Sequence, residues 1–106
     1  MSIDIKSVSK IISYLSREIV DKIDSLSDDE KRVLEYFLHN ISVGTLVAIR
    51  ELRAFYRIED PKSAIRKLID LGLLEQGYGC YSLSKSIREG LLKVYLQQTK
   101  HSKDFE

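Results

Sequence analysis

Apolar residues fall at Ile5, Val8, Ile12, Leu15 and Ile19, alternating steps of three and four that lay one stripe along a helix of about five turns. Ile11 and Ile23 widen the stripe and Lys22 interrupts its strict continuation, so the pattern predicts a helix docked on an apolar surface rather than a long two-stranded coiled coil. Residues 1–25 are therefore expected to form an N-terminal amphipathic helix. It packs either on its own domain or against a second copy, and helices added outside a small core commonly serve the second role.

Ser27-Asp28-Asp29-Glu30 is a capping box with acids in the first turn, where free backbone N–H groups favour negative charge. The helix it opens carries Val33, Leu34, Phe37, Leu38 and Ile41 on one face, and His39 and Asn40 mark its end. Thr45 is the expected N-cap of a short helix with Ala48, Ile49, Leu52 and Phe55 inward. Asp60-Pro61 begins another, 61–71, because aspartate caps and proline is pre-organised for the first helical position. Its buried side holds Ala64, Ile65, Leu68, Ile69 and Leu71, and Gly72 ends it. Leu73–Gln76 and Cys80–Leu83 flank Gly77-Tyr78-Gly79, a three-residue hairpin loop in which both glycines are expected at positive φ. Ser84 caps a last helix with its stripe at Ile87, Leu91, Val94, Tyr95 and Gln98, widened by Leu92, before a polar tail from residue 101.

Composition narrows the function more than the fold. With 106 residues, 43% hydrophobic and 31% charged, the chain fits one domain with a real core. One cysteine, Cys80, and two histidines, His39 and His101, offer neither an internal disulfide nor a zinc set, and point to a reducing compartment. Asp4 and Lys6 interrupt the apolar start, and no run reaches the ~18 apolar residues of a membrane span, so a cytoplasmic protein is expected, with no membrane association. Abundant Ile and Leu with one Asn, one Met and no Trp is a bias shared with heat-adapted sources. No phosphate-binding glycine loop, nucleophile triad or metal set is present, so neither an enzyme nor a cofactor is expected. The acidic run at 28–30 is accounted for by its helix start.

The stretch from Ile49 to Leu74, with Leu52 and Ala54 at inward positions, Ile58 in a turn, Ile65 and Leu68 on the next helix and a Leu71-Gly72-Leu73-Leu74 exit, resembles the winged helix-turn-helix of bacterial and archaeal transcription regulators. With the Tyr81-Ser82-Leu83 return strand the resemblance covers residues 27–83. It implies a mainly α fold with a small β-hairpin, in which a winged helix-turn-helix (26–83, wing 73–83) is flanked by the N-terminal helix and a C-terminal helix (84–100). It also implies a homodimer joined by Ile5, Val8, Ile12, Leu15, Ile19, Leu91, Val94 and Tyr95.

A net charge of +1 hides an uneven distribution: residues 1–30 hold four Lys/Arg against seven Asp/Glu, and residues 31–106 hold thirteen against nine. If helix 61–71 reads double-stranded DNA, then Lys62, Ser63, Arg66 and Lys67 face the bases, while Arg50, Arg53, Tyr56 and Arg57 supply backbone contacts. Tyr78 on the wing is a further candidate for DNA. The wing tip nevertheless lacks the cation that such wings usually carry, and Glu75 stands beside it. Two functions therefore follow: a homodimeric transcription regulator binding duplex DNA, or a protein–protein interaction module of a replication or transcription assembly, with Tyr78 as an aromatic anchor.

Overall fold

The computed structural model describes residues 11–103, with side chains as far as residue 97. Ile5, Val8 and Gln98, named above as stripe residues, lie outside that description. Among the described residues, five helices and three short strands follow in the order α1 (Arg17–Asp24), α2 (Asp28–His39), β1 (Ser42–Gly44), α3 (Thr45–Ala54), α4 (Pro61–Asp70), β2 (Leu74–Gly77), β3 (Cys80–Leu83) and α5 (Lys85–Lys103). The fold is mainly helical with a β-hairpin wing, and its element order is compatible with a winged helix.

α2 starts as its capping box requires. The Ser27 hydroxyl accepts from the Glu30 N–H at 3.2 Å, and the Glu30 carboxylate accepts from the Ser27 N–H at 3.0 Å. Val33, Leu34, Phe37 and Leu38 are buried as the periodicity predicts, and Tyr36 joins them, edge-on to Phe37 at 5.1 Å between ring centroids. Ile41 does not: Asn40 leaves the helical conformation, the Ile41 carbonyl accepts from the Leu83 N–H, and the side chain is left exposed.

The N-terminal stripe is not one continuous helix. The chain turns at residues 13–15, where Tyr14 and Leu15 donate back only three residues, and Ser16 caps a fresh helix by accepting from Ile19. The break lets the segment lie against α5. Leu15 and Ile19 pack on the core together with Leu91 and Val94, and a Cβ placed on buried Gly90 would stand 2.9 Å from Leu15 Cδ2. Four residues assigned to a dimer interface thus serve this chain's own interior. Tyr95 faces outward beside Leu92 and Leu96, and Ile12 is half-buried.

α3 follows Gly44 with no side-chain cap, so Thr45 does not act as one; its N–H is satisfied instead by the Gly79 carbonyl at 2.9 Å. After α3, the Ile58 N–H returns to the Leu52 carbonyl at 3.1 Å, with Arg57 at φ 55°. This bond joins residues six positions apart, one more than a Schellman closure, and an arginine holds the left-handed position usually given to glycine. Ile58 enters the core, and Phe55, expected inward, is left 75% exposed, with Ala54 also facing solvent. α4 opens as Asp60-Pro61 predicts, with the Asp60 carboxylate accepting from the Ser63 N–H at 3.2 Å. Pro61, Ala64, Ile65 and Leu68 are its buried residues, Ile69 and Leu71 are half-buried, and Gly72 at φ 77° turns the chain into β2.

The sheet is antiparallel in the order β1-β3-β2, so the hairpin gains a third strand that periodicity did not predict. Gly77 pairs with Cys80, leaving a two-residue loop, Tyr78-Gly79; only Gly79 is at positive φ, 65°. Ser84 does not cap α5, because its buried hydroxyl makes no hydrogen bond. Glu75 does so from the neighbouring strand: its carboxylate accepts from the Lys85 N–H at 3.2 Å and meets Arg88 Nη2 at 3.4 Å.

Two substitutions measure these contributions. Ser27→Ala should lower the unfolding free energy in urea by about 1 kcal/mol through loss of the α2 cap. Phe37→Ala, which empties the centre of the core, should lower it by about 3–5 kcal/mol.

Candidate interaction surfaces

Two exposed faces and one partly buried polar network stand out among the side chains that the core does not absorb. The first face is apolar. The Gly44–Cys80 pairing and the Thr45-to-Gly79 hydrogen bond bring the start of α3 against the hairpin tip. Tyr78 is fully exposed at that tip, and Leu46 and Val47, in the first turn of α3, are 75% and 48% exposed. One exposed leucine is ordinary on a protein surface. Three large apolar side chains are thus exposed on neighbouring, mutually hydrogen-bonded segments, which makes this end of the molecule a candidate interaction surface.

The second face is cationic. Lys62, Ser63, Arg66 and Lys67 all lie on the solvent side of α4, opposite Ala64, Ile65 and Leu68, and Arg50, Arg53 and Arg57 are exposed on α3 and its turn. Tyr56 does not join them. Its ring packs edge-to-face on Tyr36 at 5.6 Å, partly buried on the core, and its carbonyl accepts from the Arg32 guanidinium. Residues 44–72 contain four acids, but Glu51 accepts from the Tyr36 hydroxyl at 2.5 Å and Asp60 caps α4. Glu59 and Asp70 remain as the uncommitted carboxylates of that stretch.

Between α2 and α3 lies the network that residue spacing missed. Arg32, Tyr36, Glu51 and Tyr56 join α2 to α3 and to the turn, and Glu35, buried on the next turn of α2, faces His39 at 3.8 Å. The available signal was Tyr36 itself, an aromatic between Val33 and Phe37 with a hydroxyl that needs an acceptor once buried. Burial first, then the hydrogen bond and charge of Glu51, holds the Tyr36 hydroxyl protonated well above the ordinary tyrosine range. Tyr56 shifts upward as well, through burial and the charges of Glu35 and Glu51, with Arg32 opposing.

Among the described residues no cluster of His, Cys, Asp and Glu is arranged to hold a metal ion, and no helix is long and apolar enough to cross a membrane. Cys80 is half-buried in β3.

The network carries a pH signature. An unfolded tyrosine ionises near pH 10, whereas folded Tyr36 keeps its proton, so above that pH the unfolded state binds fewer protons and stability falls as pH rises. Urea unfolding between pH 9 and about pH 11 should show this decline. Tyr36→Phe should make it shallower while leaving Tyr56 to contribute the remainder.

No curated protein matches the chain. A family model does: that of PolB1 Binding Protein 2 matches residues 27–89, from the α2 cap through the helix-turn-helix and the hairpin into the first turn of α5. The matched segment contains both exposed faces and the buried network, and it ends before the outward residues Leu92, Tyr95 and Leu96. On that match, which spans more than half of the sequence, the chain belongs to the PolB1 Binding Protein 2 family.

Proposed function

We propose that this protein is a non-enzymatic interaction module of a DNA-replication assembly that docks on the DNA polymerase PolB1. The apolar patch of Tyr78, Leu46 and Val47 forms the centre of its interface. The position of that patch within the family-matched segment carries the proposal. A property shared across a family belongs on the part of the chain the family shares. Inside residues 27–89 the clustered exposed hydrophobics are those at the hairpin tip and the start of α3. The composition of the tip agrees, since an aromatic flanked by glycines, with no cation, suits an anchor entering a partner's pocket better than a grip on phosphates.

The family favours this reading over the operator-binding transcription regulator that the helix-turn-helix resemblance implied. Leu15, Ile19, Leu91 and Val94, four of the residues expected at a dimer interface, pack partly buried against this chain's own core. Binding supplies the activity; the module lends its surface to the polymerase.

Titration of PolB1 with the full chain by isothermal calorimetry tests the assignment. Tyr78→Ala and Leu46→Ser, both at exposed positions, should each weaken binding about tenfold or more without changing the unfolding midpoint. Unchanged affinity in both variants, together with its loss in a Leu92→Ser/Leu96→Ser variant, would move the interface to α5 and overturn the assignment.

A further inference from the structure

We propose that the open edge of β1 is a strand-addition site, where an extended segment of the polymerase with apolar residues at alternate positions pairs backbone to backbone as a fourth strand of the sheet. The inference rests on the polymerase assignment and specifies how that contact is made.

The register fixes which backbone groups are free. Ser42 pairs with Ser82 and Gly44 with Cys80, so Ile41 lies opposite Leu83 and Thr45 opposite Gly79. Both of these flanking pairs are hydrogen-bonded: the Leu83 N–H donates to the Ile41 carbonyl and the Thr45 N–H to the Gly79 carbonyl, each at 2.9 Å. Antiparallel pairs alternate between bonded and non-bonded, so residues 41, 43 and 45 turn their backbone groups toward β3, and Ser42 and Gly44 turn theirs away. The Ser42 N–H and carbonyl and the Gly44 N–H therefore lie along the outer edge, and both residues are exposed. Among the described residues no backbone hydrogen bond joins that edge to another segment.

The two edges of the sheet are not equivalent. β2 carries Glu75, whose carboxylate ties it to Lys85 and Arg88, and a charge beside an edge discourages a further strand. β1, Ser42-Val43-Gly44, has no charge, proline or bulge. Ile41 and Val43 fall on the same face of the strand; Val43 is half-buried on the core and Ile41 is exposed, so the apolar row stops unfinished at the edge. Just past Gly44, Leu46 and Val47 begin the apolar patch, which makes the edge continuous with the surface assigned to the polymerase.

A strand laid beside β1 thus has backbone partners, an apolar row to complete and the patch at its end. A helix would cover the side chains without satisfying the edge, because its own N–H and carbonyl groups are used within it. A second copy of the chain would pair through two three-residue strands, each about 10 Å long, a contact far smaller than the ~1,200 Å² of a stable interface.

Gly44 permits a test that touches only the backbone. Its φ of −58° already lies in the range that proline imposes, and a Cβ there would meet nothing closer than 3.9 Å. Gly44→Pro therefore removes one outward N–H while keeping the pairing with β3, and the unfolding midpoint in urea should not fall. In calorimetric titration of PolB1 with the full chain, Gly44→Pro should weaken binding about tenfold or more, and Gly44→Ala, which keeps the N–H, should recover most of that loss. In the wild-type complex, amide exchange at Ser42 and Gly44 should slow about tenfold or more. Unchanged exchange at both amides, or wild-type affinity in Gly44→Pro, overturns the inference and leaves the polymerase assignment standing. Absence of wild-type binding to PolB1 overturns both. A chain that sediments as a dimer and becomes monomeric with Gly44→Pro gives the edge to a second copy, and the polymerase segment is equally refuted.

Discussion

The hydrogen bond from the Ile58 N–H back to the Leu52 carbonyl governs how the two helices of the motif present themselves. It closes α3 by forcing Arg57 into the left-handed region, where a non-glycine residue costs on the order of 1–2 kcal/mol. Burial of Ile58 beside Leu52 offsets that cost, since a fully buried isoleucine contributes about 1.5–3 kcal/mol. The Arg32 bond to the Tyr56 carbonyl and the packing of Tyr56 on Tyr36 hold the same turn from the α2 side. With the turn fixed, the rotation of α4 is fixed too. Ala64, Ile65 and Leu68 meet the core, and Lys62, Arg66 and Lys67 have nowhere to go but solvent.

From that constraint follows a separation of roles. The interior is continuous from Ile11 through Phe37 and Leu68 to Ile87, and it draws in the apolar ends of the chain as well as the motif. What is left outside is sorted by position: apolar at the hairpin tip, cationic at the turn. The near-neutral total of 17 basic and 16 acidic residues hides a local excess, since residues 44–72 hold six Lys and Arg against four Asp and Glu.

Much of the fold was legible in the sequence because its signals are local. The capping box at Ser27, the Asp60-Pro61 start and the Gly72 exit each depend on neighbours within a few residues, and each forms as read. The misreadings share one cause, which is that a distant segment supplied what the local pattern was expected to provide. Thr45 is not a cap because Gly79 satisfies its N–H, and Ser84 is not one because Glu75 does the work ten residues away. Phe55 lost its inward place to Ile58 once the turn closed, and β1, three residues long, is too short to show a period. The cationic residues were legible as exposed by their opposition to the Ile65/Leu68 stripe. The apolar patch was not, since Leu46 and Val47 reach Tyr78 only through the sheet pairing.

Glu75 has a consequence for how the hairpin behaves as a surface. By gripping the Lys85 N–H and Arg88, it fastens β2 to the root of α5, while β1 braces the opposite side of β3. A wing held at one edge only is an arm that swings and must be stilled when it meets a partner. Held on both sides, this one is a buttress: Tyr78 stands at the end of a strut anchored in two helices, and little conformational freedom is left for a partner to remove.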